Sequence, residues 1–475
     1  MGETLPIFST TFNGSVQVEA RADHLSADTG ALLLREIMER TGIVDWMDER
    51  LLDPRNPLLI TYPLADLLRT SLLLLGQGWR DQDDADRLRH DPSFRVANDT
   101  RRGNSALEVD SVLPSQPTLS RLVSLLSTPT NQEVVREGII ELAMRRLWKD
   151  NGDRRRKRLM IDVDGLPVEV HGQQAGSEYN GYYGQRMFHA LIASCAKSGD
   201  LLDGTLRAGA VGSADGALEF IERVVERVRQ RVCESVLVRM DAGFPDGATL
   251  KGLESARIEY VARLRNNAVL DRMAAPYLRR APGRPPREGR IWCHELRYQA
   301  DSWEHPRRVV LVVLERPGEL FLDYFWLITN LKRNRYSGAR LLGLYRMRGK
   351  AEGHMGEFMD VLAPALSSSA RAKSHYRGRL LEAVTEPQEA GVRAQNETLL
   401  LLNLLAYEVL HAGRCVMQRA TGTGWSLRRL RERMLRVASR VVRHGRRLTF
   451  VIAQDAAPDW QRLWGKLAAL DWAPS

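Results

Sequence analysis

Tyr345, Arg348 and Glu352 stand three and four residues apart in the stretch YRMRGKAE. On a helix those steps gather the three side chains on one face. A carboxylate beside a guanidinium and a phenol suits work on phosphate: metal ligand, charge clamp and hydrogen-bond donor. Two earlier strand-like apolar segments end in aspartates, IDVD with Asp162 and Asp164, and VLVRMD with Asp241. Two aspartates on strands and a glutamate on a later helix are the minimum for a two-metal phosphodiester site. There carboxylate oxygens hold two divalent ions roughly 3.5–4 Å apart, which supply a hydroxide and neutralise the leaving oxygen.

Each residue also has a plainer reading. Asp241 alone reads as a turn former before Ala-Gly-Phe, and Arg348 with Glu352 as a surface ion pair of about 0.3–0.5 kcal/mol. Asp162 and Asp164 alternate on one strand and share a face, so both are candidates for the first ligand. Asp164 lies nearer the strand end and precedes Gly165, where an opening is expected. Neither acid is expected to be idle and buried, because unpaired burial is costly.

Taken in order, IDVDGLPVEVHGQQ, VRMDAGF and the tyrosine–arginine–glutamate stretch resemble the DDE transposases of bacterial insertion sequences, which have an RNase-H-like catalytic core. More closely, the chain is similar to the insertion-sequence family numbered thirteen-eighty (group 1 DDE transposases). HGQQAGSEYNGYYG at 171–184, DQDDADRLRHDPSF at 81–94 and LPSQPTLSRL at 113–122 carry that likeness, which runs from about residue 20 to the basic segment near 447. The resemblance implies Asp164, Asp241 and Glu352 as catalytic metal ligands, with Asp162 the alternative first ligand. Its pattern sets the catalytic aspartate before one small residue, which favours Asp164. Tyr345 and Arg348 would contact DNA phosphates. Mg²⁺ is the implied cofactor, with Mn²⁺ as a substitute, and the implied assembly is a homodimer or larger synaptic complex on two DNA ends. Many relatives carry a lysine seven residues after the glutamate; Met359 stands there. His171, Gln173 and Asn180 are candidates for an active-site loop, against a structural loop with Tyr182 and Tyr183 packed. His354 and Glu357 read as exposed helix residues, and Trp303 as core rather than a wedge for DNA.

Function also has to agree with composition. The chain has 475 residues, 44% hydrophobic and 27% charged, which suits a globular protein of two or more domains. A net charge of +10 and a pI near 9.6 favour a polyanionic partner. From Leu427 to Arg447 there are nine arginines and one acid, Glu432. Arg429, Arg433, Arg436, Arg440 and Arg443 are expected partly along one helical face that tracks a DNA backbone. Four scattered cysteines fit neither a disulfide framework nor a zinc knuckle. MGETLPIF shows no signal peptide, and the apolar segments 72–75 and 399–410 are too short to span a bilayer. A cytoplasmic, nucleoid-associated bacterial protein with no membrane partner is expected.

The elements that must position these residues follow from periodicity. Residues 29–50 and 61–76 read as helices capped by Asp28 and Thr61, and 117–127 as a shorter one. Residues 1–150 are expected as an α-helical region, the candidate for DNA-end binding, with generic helical packing favoured over a helix-turn-helix. KRLMIDVDG, RMFHALIASC and LLDGTLRAG read as strands, 214–231 as an amphipathic helix, VLVRMD as a strand, 247–256 as a helix and IEYVARL as a strand. The expected class is α/β, an RNase-H-like core in two parts, 151–265 and 331–375. A β-rich insertion at 266–330 lengthens the spacing from Asp241 to Glu352 to 111 residues. Residues 376–475 are expected as a helical, arginine-rich C-terminal region.

A transposase that binds its element's terminal inverted repeats, cleaves with water and joins the 3′-hydroxyl to target DNA is the expected function. The rivals are an RNase-H-like nuclease without transposition and a non-catalytic DNA-binding descendant.

Overall fold

Apolar alternation in the middle of the chain builds one nine-stranded mixed sheet. The computed structural model describes residues 8–469 except 10, 14, 19–22, 102–111, 150, 151, 153, 154, 171–173, 281, 283–286, 369–385 and 446. Three short strands come first: β1 (Phe8–Ser9) pairs with β2 (Gln17–Val18), and β3 (Leu25–Ser26) joins a small sheet near the C-terminus. Seven helices follow: α1 (Ala31–Thr41), α2 (Ile43–Asp48), α3 (Leu64–Gln77), α4 (Asp84–Leu88), α5 (Pro92–Asn98), α6 (Gln116–Leu126) and α7 (Pro129–Lys149). The run 29–50, expected as one helix, is two. Gly42 separates them at φ 62°, a left-handed conformation that glycine adopts without a steric penalty. The next helix opens after Pro63 rather than at Thr61, because proline lacks the N–H that a helix start leaves unpaired anyway.

The core strands are β4 (Arg156–Glu169), β5 (Glu178–Asn180), β6 (Gln185–Cys195), β7 (Leu201–Thr205), β8 (Cys233–Met240) and β9 (Glu259–Leu264). β4, β6 and β7 are joined antiparallel, whereas β8 and then β9 add to β4 in parallel. Leaving out short β5, the spatial order is third, second, first, fourth, fifth, with the second strand reversed: the RNase-H-like arrangement. The parallel steps need crossovers, and α8 (Ala217–Arg231) and α9 (Gly247–Ser255) supply them. α8 buries Ala217, Phe220, Ile221, Val224 and Val228, the face that its helical spacing predicts.

After α10 (Ala268–Ala274), β10 (Arg290–Tyr298), β11 (Arg307–Glu315) and β12 (Asp323–Thr329) form a meander. β12 pairs antiparallel with β9, so the β-rich stretch continues the core sheet. Trp303 is buried against Tyr298 and under Arg307, which removes it from any role as a wedge. α11 (Gly338–Arg346) and α12 (Gly349–Val361) return the chain to the sheet.

α13 (Glu386–Thr421) runs through the middle of the helical part and packs on α1, α3, α7, α15 and β7. Its stretch Gln388–Thr421 is long and apolar enough to cross a membrane, although 94% of its apolar window is buried inside the protein. The apolar run 399–410 therefore understates this helix. Its polar side chains have internal partners: Glu408 accepts from the Leu201 amide, and Arg414 pairs with Glu357.

The arginine-rich tail departs from expectation. α14 (Leu427–Leu430) passes into a π-helical turn ending at Leu435, and β13 (Ser439–His444) then pairs with β14 (Arg447–Ile452) and β3. α15 (Ala457–Ala468) follows. No single helical face carries Arg429 to Arg443. The valines at 437, 441 and 442 favour a strand, where Arg440 and Arg443, an odd number of residues apart, point to opposite faces.

Candidate active site

β4 and β8 run parallel with Asp162 level with Arg239. Asp162 is buried, and its two oxygens accept hydrogen bonds from Arg239 Nε and Nη2 at 2.5 and 2.6 Å. Arg239 Nη1 donates to the Leu344 carbonyl at 2.6 Å and so ties α11 to the strand pair. Burial raises the Asp162 carboxyl, and Arg239 opposes that rise. Motif spacing alone misses Arg239. A charge inside the apolar strand VLVRMD is the available signal, since it demands a buried partner.

Carried two residues on, the same register sets Asp164 level with Asp241, the residue that follows β8. Asp164 does not lie near the end of its strand as expected, because β4 stays paired with β6 as far as Glu169. Asp164 Oδ1 accepts from the Gly165 amide at 3.0 Å, and Oδ2 from Arg348 Nη2 at 2.6 Å. Asp241 Oδ1 accepts from the Gly243 amide at 2.7 Å, so its own Ala-Gly turn orients it. Arg348 Nη1 reaches Glu352 at 3.3 Å. Burial pushes the Asp164 carboxyl up to about 6; Arg348 opposes this, while Asp241 and Glu352 add to it. The three acids thus share one electrostatic environment centred on a guanidinium. Tyr345 lies in the same field, its phenol raised mainly by burial.

The expected single helix is broken here. α11 ends at Arg346, Arg348 is the N-cap of α12, and Glu352 falls in the first turn of α12. Gly349 weakens helix continuity, and the Asp164 contact draws Arg348 inward to 9% exposure. Glu352 remains a helical neighbour of Arg348 and is 67% exposed at its side chain.

Other predicted positions are distributed unevenly. His171 and Gln173 lie outside the described residues. Asn180 shapes its loop: Oδ1 accepts from the Tyr182 and Tyr183 amides, and Nδ2 donates to the Gly209 carbonyl. Tyr182 and Tyr183 are exposed rather than packed. His354 and Glu357, expected in solvent, face inward instead. A Cβ on Gly199 would stand 2.6 Å from the His354 ring, and Glu357 pairs with Arg414 and the Leu427 amide. The reason is that this face of α12 packs against α13 and α14. Met359 packs against the apolar core. In the tail, Arg429 lies over Trp425 at 4.2 Å, Arg433 pairs with Asp459 at 2.9 Å, and Arg436, Arg440 and Arg443 are exposed.

Among the described residues, no three acidic, histidine or cysteine side chains stand close enough together to hold a metal ion. The donor chemistry nevertheless fits a hard divalent cation: all three candidates are carboxylates, and Asp241 and Glu352 add to the burial that raises the Asp164 carboxyl. Arg348 is the cation that answers this charge, bridging Asp164 and Glu352.

The sheet order, with Asp164 in β4, Asp241 just after β8 and Glu352 on α12, defines a nuclease-like α/β protein. The family described as transposase DDE domain, group 1, matches residues 8–380, and the chain belongs to it. Membership makes the protein an enzyme of the DNA-transposing class and implies dependence on a divalent metal. The match contains all three candidate acids and ends before α13. No curated protein matches the chain. Among solved structures it is similar to a piggyBac transposase synaptic complex with hairpin DNA, at 12% identity and a TM-score of 0.40. That likeness covers 85% of this chain and 79% of the other.

Proposed function

We propose that this protein transposes its own insertion sequence, of the family numbered thirteen-eighty. It binds the terminal inverted repeats, cleaves the DNA hydrolytically and joins the freed 3′-hydroxyls to target DNA. The observation that carries this reading is the convergence of Asp164 and Glu352 on Arg348, beside Asp241. Asp164, Asp241 and Glu352 would hold Mg²⁺, or Mn²⁺ in its place; bound there, the metal supplies a hydroxide at neutral pH and neutralises the leaving oxygen. Asp162 is committed to Arg239 and instead keeps α11 docked on β8.

Arg348 has a second function in this reading. Its Nε is buried with no hydrogen-bond partner among the described residues, a donor suited to a phosphate oxygen. Arg348 would clamp the DNA backbone through its guanidinium, with the Tyr345 hydroxyl as a further donor. Glu352 would complete the metal set from an exposed side chain held by one 3.3 Å contact. The N-terminal helices and the arginine-rich C-terminal region would bind the DNA ends and phosphates, in a homodimer or larger synaptic complex in the bacterial cytoplasm.

The test is cleavage and strand transfer on duplexes carrying the inverted repeats that flank the gene. Asp164→Asn, Asp241→Asn and Glu352→Gln should each lower Mg²⁺-dependent cleavage by more than about a hundredfold while binding persists. Near wild-type cutting by any variant removes that residue from the catalytic set. Cutting without joining would favour a nuclease that does not transpose.

A further inference from the structure

β5 and the loop that joins it to β6 hold large aromatic rings in solvent. Tyr179, Tyr182 and Tyr183 are 64%, 89% and 41% exposed. Local hydrogen bonds fix the loop that carries them. The Asn180 carboxamide accepts from two successive amides at 3.0 and 3.3 Å and anchors the loop to Gly209 at 2.7 Å. Gly184 closes the turn at φ 68°, where other residues would be strained. The Tyr182 and Tyr183 rings meet edge to face, with centroids 5.0 Å apart and planes at 84°.

A short chain of contacts leads from these rings to the acids. Tyr183 stands 6.3 Å from the His189 ring, again edge-on. His189 closes over Gly165 so tightly that a Cβ there would be 2.5 Å from its Nε2. The Gly165 amide in turn donates to Asp164. The Tyr183 phenol is raised by its partial burial, by Tyr182, and by both Asp164 and Asp241.

We propose that Tyr182 and Tyr183 form a stacking platform for an unpaired nucleobase beside the phosphate on which the carboxylates act. The proposal rests on the reading of Asp164, Asp241 and Glu352 as a phosphodiester site. The chemistry selects the ligand. A base presents a neutral π face that adds no negative charge beside three acids, and it stacks on an aromatic ring whatever its sequence. In a duplex both faces are covered by neighbours, so only an unpaired or extruded base fits. Tyrosine suits the task because it offers a large rigid ring with only two side-chain torsions to immobilise.

The test uses the full-length protein with Ca²⁺ in place of Mg²⁺. The probes are a short blunt duplex of arbitrary sequence and the same duplex with a single-stranded tail containing a fluorescent purine analogue. The tailed duplex should bind about tenfold tighter than the blunt one, with quenching of the analogue on stacking. Tyr182→Ala with Tyr183→Ala should remove both the preference and the quenching. Tyr182→Phe with Tyr183→Phe should restore both, because stacking needs the ring and not the hydroxyl. An alanine variant that keeps the preference, or a wild-type protein that lacks it, overturns the platform. Metal-dependent cleavage, measured separately, distinguishes the two readings: cutting without a tail preference sinks only the platform. A preference with quenching but no cutting supports the platform and sinks the carboxylate reading.

Discussion

Single buried charges make the sharpest statements about this protein. Arg239 and Asp162 have almost no exposure, so each depends on the other for its compensation. Arg239→Met should leave a buried carboxylate unpaired and cost roughly 3–5 kcal/mol, read from the urea midpoint. A loss below about 1 kcal/mol would mean that water reaches Asp162. Asp28 offers a pH-dependent case. It is buried beside α3 and accepts from Trp79 Nε1 at 3.2 Å, and burial lifts its carboxyl from 3.8 to about 6 against that bond. The folded protein therefore holds this proton more tightly than the unfolded chain. The associated stability is fully present below about 4 and is lost as pH rises through about 6, at most roughly 3 kcal/mol. Asp28→Asn should raise the melting temperature at pH above 7 and flatten the stability profile between those limits. An unchanged profile would assign the dependence to other groups.

At the scale of elements, the placement of α12 matters most, because it carries Glu352. Its inner face is clamped by Glu357, which accepts from Arg414 on α13 and from the Leu427 amide at the start of α14. Glu357→Gln keeps the size of the side chain but removes its charge, so α12 should be held less firmly. The Mg²⁺ concentration for half-maximal cleavage should then rise by about tenfold, with maximal cleavage at saturating metal largely retained. A fall in maximal cleavage with unchanged metal dependence would point to a purely structural role. The same element shows where periodicity misleads. Three- and four-residue spacing describes Tyr345, Arg348 and Glu352 correctly as neighbours, but the helix breaks at Met347 and Arg348. An ion pair across to β4 holds Arg348 in the break, and no local pattern contains that partner.

For the whole molecule, the net charge of +10 predicts salt-sensitive binding to DNA. The arginine tail is no uniform stripe. Arg433 is engaged by Asp459, whereas Arg436, Arg440 and Arg443 are exposed and the last two lie on opposite faces of β13. Glutamine at 436, 440 and 443 together should flatten the plot of log affinity against log salt by roughly 0.9 for each phosphate that is no longer neutralised. Because β13 divides its arginines between two faces, the combined change should be smaller than full engagement of all three side chains would give. Arg433→Gln should leave the slope unaltered. Equal slopes for the triple variant and the wild type would remove this region from DNA binding.

Local order was legible because it depends on neighbours in the chain. The strand carrying Asp164, the strand that ends just before Asp241, the amphipathic helix between them and the order of the three acids all follow from spacing, and with the motif likeness they identify the class of protein. Tertiary structure decided what depends on partners far away in sequence. It gave Asp162 to Arg239, turned His354 and Glu357 from solvent toward α13, and joined the meander at β10–β12 to β9. It folded the end of the arginine run into a hairpin, and it left Tyr182 and Tyr183 exposed beside the acids. The physical reason is the same in each case. Periodicity reports which face of an element is apolar, but the cost of burying or exposing a polar or aromatic group is settled by what the rest of the chain brings to it.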